Sequence, residues 1–143
     1  MPSLEQRIQN IEDRQALQEL VSSYLIALDN AADIEQVLCC FSEDAVFDMT
    51  ALDYPTFKGM TALRELFTGA FASMNHSAHY ATNFKIDSLE ENSASARTHA
   101  MGMGISLEGG SVLFYVQYHL EFQRINQRWK MSSLRGEPLM PAA

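Results

Sequence analysis

The sequence predicts an α+β domain in which helices cover one face of a curved antiparallel sheet. Three observations lead there. Helical periodicity dominates the first half of the chain, and strand alternation dominates the second. The late strands are joined by connections of hairpin length. At 143 residues the chain suits a single domain spanning residues 1–143, one that buries roughly 70% of the surface its unfolded form exposes.

Ser3 and Gln6 have the spacing of a capping box and start the first helix, Leu4 to Asn30. Ile8, Ile11, Leu17, Leu20, Val21, Tyr24, Leu25 and Leu28 recur along it at helical spacing. Asp33, with Gln36 at the box position, caps a second helix from Ile34 to Phe41. Ser42-Glu43-Asp44 reads as a turn, Ala45–Asp48 as a short strand, and Tyr54–Lys58 as an edge strand because of Pro55. Leu63, Leu66, Phe67 and Phe71 mark a third helix, Met60 to Met74. Four strands follow: Ser77–Glu90, Ser93–Leu107, Ser111–Arg124 and Arg128–Arg135. In the third of these, Val112, Phe114, Val116, Tyr118, Leu120 and Phe122 share one face. The tail Gly136-Glu137-Pro138 is expected to end the ladder. Gly102 and Gly104 fall within a strand, where glycine marks a bend or bulge that curves a sheet.

The net charge of −8 and a pI near 4.8 argue against nucleic acid or an anionic membrane as partner, since both require a basic surface. Cys39 and Cys40 are adjacent, with no CxxC or Cys/His spacing around them, and read as buried helical thiols. The N-terminus has no apolar signal core, and no apolar run approaches the roughly 18 residues of a membrane span. The expected location is the cytoplasm. Phosphate-binding and dinucleotide-binding glycine motifs are absent, so no cofactor is expected. No His/Asp/Glu set has metal spacing, and His76 falls on the face of its strand opposite His79.

The layout resembles the SnoaL-like branch of the NTF2-like superfamily, within it the group of scytalone dehydratase, dehydrochlorinase and bile-acid dehydratase. The resemblance runs through Arg14-Gln15-Ala16-Leu17-Gln18-Glu19-Leu20, Ala27-Leu28-Asp29 and Phe41-Ser42-Glu43-Asp44-Ala45-Val46-Phe47. It continues in Phe57-Lys58-Gly59, His79-Tyr80-Ala81-Thr82-Asn83, Tyr118-His119-Leu120-Glu121-Phe122 and Arg128-Trp129-Lys130-Met131. It implies a cone-shaped α+β barrel, a curved sheet wrapped around the N-terminal helices with a deep apolar pocket, and a homodimer or homotrimer joined through the outer sheet face. By position, the family's Asp–His pair falls on Asp29 and His79. A tyrosine five residues before the aspartate, used by the bile-acid dehydratases, falls on Tyr24.

The residues themselves are compatible with that chemistry. A carboxylate beside an imidazole sets its tautomer and stabilises the imidazolium formed when a proton is taken. Asp29 sits at a helix C-terminus, where its charge opposes the macrodipole, a misfit that suggests a purpose. Tyr24 lies about 140° around the helix from Asp29, so the two share a site only if it wraps the helix end. Asn83, on the same strand parity as His79, is a candidate for a substrate polar group. Tyr54, Met49, Phe67, Phe71, Val116 and Tyr118 are candidate lining residues, and Arg124 and Arg135 candidate anion stabilisers. The expected function is a cofactor-independent lyase, isomerase or cyclase acting on a hydrophobic small molecule. The rival expectation is a binding or scaffold protein with the same pocket.

Overall fold

The computed structural model describes residues 1–141. Its order is α1 (Leu4–Asn30), α2 (Ile34–Leu38), β1 (Phe41–Asp48), a 3-10 turn (Thr50–Leu52), β2 (Thr56–Lys58), α3 (Met60–Ser73), β3 (Met74–Leu89), β4 (Ser93–Ser106), β5 (Ser111–Ile125) and β6 (Arg128–Pro138). The strands form one open, curved sheet in the order β2-β1-β6-β5-β4-β3. All neighbouring pairs are antiparallel except β1 with β6, which run parallel. None of the described helices is long and apolar enough to cross a membrane.

Helix α1 starts as its sequence dictates. Ser3 Oγ accepts from the Gln6 N–H at 3.1 Å, and Gln6 Oε1 accepts from the Ser3 N–H at 2.7 Å. Ala31 ends it in the left-handed region at φ 52°. Its buried face begins only at Asp13 and continues through Leu17, Val21, Tyr24 and Leu25. Ile8 and Ile11, placed on the apolar stripe by periodicity, are exposed.

Three departures from expectation change the pairing of the sheet. Helix α2 stops at Leu38, because Phe41 pairs with Met131 and the Met131 N–H bonds Cys40 O at 2.8 Å. Cys39 is consequently exposed beyond the helix end, and Cys40 is buried. The expected turn Ser42-Glu43-Asp44 is instead a bulge inside β1, where the register against β6 slips between Phe41 and Val46. Strand β6 continues through Gly136 to Pro138 against Tyr118, Gln117 and Val116. It can do so because β1 ends opposite Arg135. Past that point β6 is an edge strand, where a proline costs no ladder bond.

The core lies between the helices and the inner sheet face, with Leu17, Val37, Ala45, Leu63, Val116 and Met131 wholly shielded. Tyr24, Phe41, Phe47 and Phe67 pack largely edge to face, with centroids 5.2–6.5 Å apart. One charge enters this core. Asp13 occupies an apolar-stripe position of α1 and accepts from Arg124 at 2.7 Å, Trp129 Nε1 at 3.2 Å and Gln9 at 3.0 Å. Arg124 lies 4.4 Å over the Trp129 ring and also donates to Glu91 O. Burial alone would raise the Asp13 pKa, but the hydrogen bonds from Arg124, Gln9 and Trp129 outweigh it and hold it below the usual carboxylate range.

Asp13→Ala would leave the guanidinium and the indole N–H without their acceptor. The expected loss is about 3 kcal/mol in urea denaturation. Because the folded pKa of Asp13 is depressed, its stabilisation is present above the unfolded carboxylate pKa and vanishes as pH falls through the lower folded value. Asp13→Asn is therefore expected to lose stability at neutral pH and to show a shallower acid limb than the wild type.

Candidate active site

The end of α1 meets the first part of β3 through a single carboxylate. Asp29 Oδ2 accepts the backbone N–H of His79 at 2.8 Å, and Oδ1 accepts from His79 Nδ1 at 2.6 Å. Ser77 Oγ donates to the same Oδ1 at 3.3 Å and lies 3.4 Å from Nδ1. A helix-terminal anion that would cost about 0.3–1 kcal/mol against the macrodipole thus gathers three donors from β3. A carboxylate can only accept, so Nδ1 carries the proton and the neutral ring keeps its lone pair on Nε2.

Nε2 has no hydrogen-bond partner among the described residues. No buried side-chain polar atom there goes unpaired, so Nε2 opens onto accessible space although the His79 side chain is only 12% exposed. The ring of Phe114 stands beside it, with centroids 5.9 Å apart.

Register explains this placement. Across the sheet, His79 pairs with Gly102 and Gly102 with Phe114; the next inward step pairs Ser77 with Gly104 and Gly104 with Val112. The inward residues of β4 at this end carry no side chain, and a Cβ on Gly102 would collide with the Phe114 ring. The glycines that suggested sheet curvature therefore also admit side chains from β3 and β5 across the strand between them.

Two buried tyrosines lie close enough to feel the Asp29 charge. Tyr24 and Tyr118 are 2% and 4% exposed. Neither hydroxyl finds a partner among the described residues, and by the same reasoning as for Nε2 both open onto accessible space. Burial raises the pKa of each, and the nearby Asp29 charge raises both further, so both hydroxyls stay protonated as donors.

The remaining candidates divide. Met49, Phe67, Val116 and Tyr118 lie in the core and Phe71 is half-buried against it. Tyr54 is 63% exposed after the 3-10 turn, away from the interior. Asn83 is also exposed, its amide 3.5 Å from His99 Nδ1. Its strand parity fails because it sits at φ 57° inside a register shift between Thr82 and Lys85. Arg124 belongs to the Asp13 cluster and Arg135 is 3.8 Å from Glu137. His119 bonds Glu137 at 2.8 Å. No metal-binding set of His, Cys, Asp and Glu occurs among the described residues. Ser77, Gly102 and Phe114 were not singled out as site residues from the sequence; the small, every-second-residue pattern of Ala94, Ala96, Thr98, Ala100, Gly102 and Gly104 was the available signal.

Surface clefts of about 360 and 320 Å³ lie elsewhere, one between Arg14, Gln18 and Phe84, the other along Asp87, Arg97, His119 and Arg135 on the outer sheet face. The interior geometry around His79, not cleft size, marks the candidate site.

Comparison with known proteins agrees with this architecture. Hexachlorocyclohexane dehydrochlorinase 1 of Sphingobium indicum is 25% identical over 131 residues, covering 90% of this chain and 83% of the relative. A solved structure from Novosphingobium aromaticivorans, provisionally called an aromatic ring hydroxylase, is 40% identical with a TM-score of 0.90 and 93% of each chain covered. Another from Novosphingobium aromaticivorans DSM 12444, provisionally called a scytalone dehydratase, shares the fold at 20% identity, with a TM-score of 0.83 and 94% and 93% coverage. The SnoaL-like domain model matches residues 9–135. The chain belongs to the SnoaL-like domain family.

Proposed function

We propose that this protein is a cofactor-independent lyase, or a closely related isomerase, acting on a hydrophobic small molecule. The observation that carries this reading is the double hydrogen bond from His79 to Asp29, which commits Nδ1 to the carboxylate and leaves Nε2 open. In the reaction, Nε2 takes a proton from carbon and the C–H electron pair forms the new double bond. The leaving group departs with its bonding pair, as halide or as hydroxide that receives the proton back from the imidazolium and leaves as water. Asp29 holds the tautomer and stabilises the imidazolium. Tyr24 or Tyr118, kept protonated by burial, donates a hydrogen bond to the departing group or to a developing oxyanion. The dehydrochlorinase of Sphingobium indicum supports elimination as the reaction type, and the provisional hydroxylase name of another relative does not. The dyad, more than either name, is what supports elimination for this chain.

The test is a panel of halogenated cyclohexanes and β-hydroxy ketones, followed by halide release and alkene formation. Turnover is expected in the wild type, falling by about 10²–10⁴ in His79→Ala. Asp29→Asn is expected to lose activity as well while keeping a cooperative fold, since an amide oxygen still accepts the His79 N–H. Unchanged rates in either variant would remove the mechanism. A ligand retained unaltered through purification, with no turnover on the panel, would favour a binding protein.

A further inference from the structure

The first turns of α1 stand clear of the domain. Every residue from Leu4 to Glu12 is exposed, and the helix meets the core only at Asp13. Three of the exposed residues are large and apolar: Leu4 at 68%, Ile8 at 48% and Ile11 at 64%. They do not continue the core-facing stripe. On an ideal helix Ile8 lies roughly 180° around the axis from Leu17, Leu4 roughly 140° and Ile11 roughly 120°. Ile26, about five turns after Ile8, is 69% exposed on the same side. The spacing of Leu4, Ile8 and Ile11 is that of d, a and d in a heptad, with Gln15 at the next a and Gln18 at the next d. An apolar stripe alone does not say what covers it; the charges beside this one do. Glu5, Glu12 and Glu19 recur at heptad spacing along one flank, at e, and Arg7 and Arg14 along the other, at g. All are exposed, and none forms an ion pair among the described residues. Arg14 reaches Asn10 and Glu19 reaches Gln15, each on its own helix.

We infer that this outward face of α1 docks on α1 of a second copy of the chain, side by side and parallel, as a short two-stranded coiled coil. The charges choose both the occupant and its direction. In a parallel pair the g residue of one helix meets the e residue of the following heptad on the other. Arg7 then faces Glu12 of the second copy, Arg14 faces Glu19, and the two-fold axis repeats both pairs. In an antiparallel pair g would meet g and e would meet e, setting arginine against arginine and glutamate against glutamate. The core-facing residues of α1 lie on the side away from the seam, so the two domains flank the helix pair. The domain behind α1 already holds it helical, which removes the nucleation cost that leaves isolated short helices unstable. Gln15, polar at an a position, favours pairing in register. Two apolar heptads bury less than the about 1,200 Å² of a standard interface, so the association depends on concentration. This surface is separate from the outer sheet face and from the Asp29–His79 pair.

Sedimentation equilibrium of the full chain over a concentration series tests the pairing. At high concentration the wild type should reach twice the mass of Ile8→Glu, whose urea midpoint should stay that of the wild type because the side chain is exposed. Arg7→Glu should weaken association about tenfold, and adding Glu12→Arg should restore it. Disulfide trapping reads the direction independently, in a Cys39→Ser background because Cys39 is itself exposed. Ile8→Cys should link to its own copy on oxidation, whereas Ala16→Cys, exposed but roughly 80° or more from the seam residues, should not. Equal mass for the wild type and Ile8→Glu at every concentration would overturn the pairing, including where both are oligomers held through another face. Tighter association in Arg7→Glu would overturn it too, since that is the mark of an antiparallel pair. Equal trapping at positions 8 and 16 would show collision rather than a seam and would likewise overturn it.

Discussion

Asp29 accepts from the backbone and from the ring of the same residue, and the position of His79 depends on that pairing. The backbone bond at 2.8 Å holds β3 against the end of α1, while the ring bond at 2.6 Å turns the imidazole inward. One carboxylate therefore sets both where the strand lies and which nitrogen is free. The usual objection to an acidic residue at a helix C-terminus is an unfavourable interaction with the macrodipole; three converging donors offset it. Ser77 adds the third of these from the inward neighbour of His79 on β3, so the dyad is held by the strand's own alternation.

Helix α1 is held at two points of opposite character. Asp13 and Asp29 are sixteen residues apart, about 24 Å along an ideal helix. Asp13 accepts from a guanidinium, an indole and an amide. Asp29 is paired with an imidazole whose second nitrogen remains open. The same residue type thus anchors the helix within its length and serves a candidate reaction centre at its C-terminal end. The difference lies in the partner: arginine keeps its charge and terminates the network, whereas histidine can pass a proton on.

Much of this was legible in the chain. The capping box at Ser3, the alternation of β5 and the hairpin spacings carry enough local information to place α1 and the meander β3–β6. Residue-level pattern could not show where register slips. Asn83 reads as an inward residue by counting from His79, and a bulge between Thr82 and Lys85 turns it to the surface. Ser42-Glu43-Asp44 has turn composition, yet pairing with β6 on either side draws it into a strand. The extension of β6 to Pro138 depends on where β1 ends, a fact about a neighbouring strand. Asp13 was not singled out from the sequence: its arginine and tryptophan partners lie 111 and 116 residues away. The Asp29 and His79 positions came from resemblance; their mutual geometry, with Ser77 and Phe114, came only with the fold.

The most direct test of the central claim is the protonation pattern of the His79 ring, read by nitrogen-15 NMR in the wild type and in Asp29→Ala at a pH where the ring is neutral. If Asp29 commits Nδ1, the wild-type ring carries its proton on Nδ1 with Nε2 bare. Removing the carboxylate then releases the ring to a mixture of tautomers. A wild-type ring protonated on Nε2, or the same tautomer in both proteins, would contradict the account, because the nitrogen assigned as the base would not be set by Asp29.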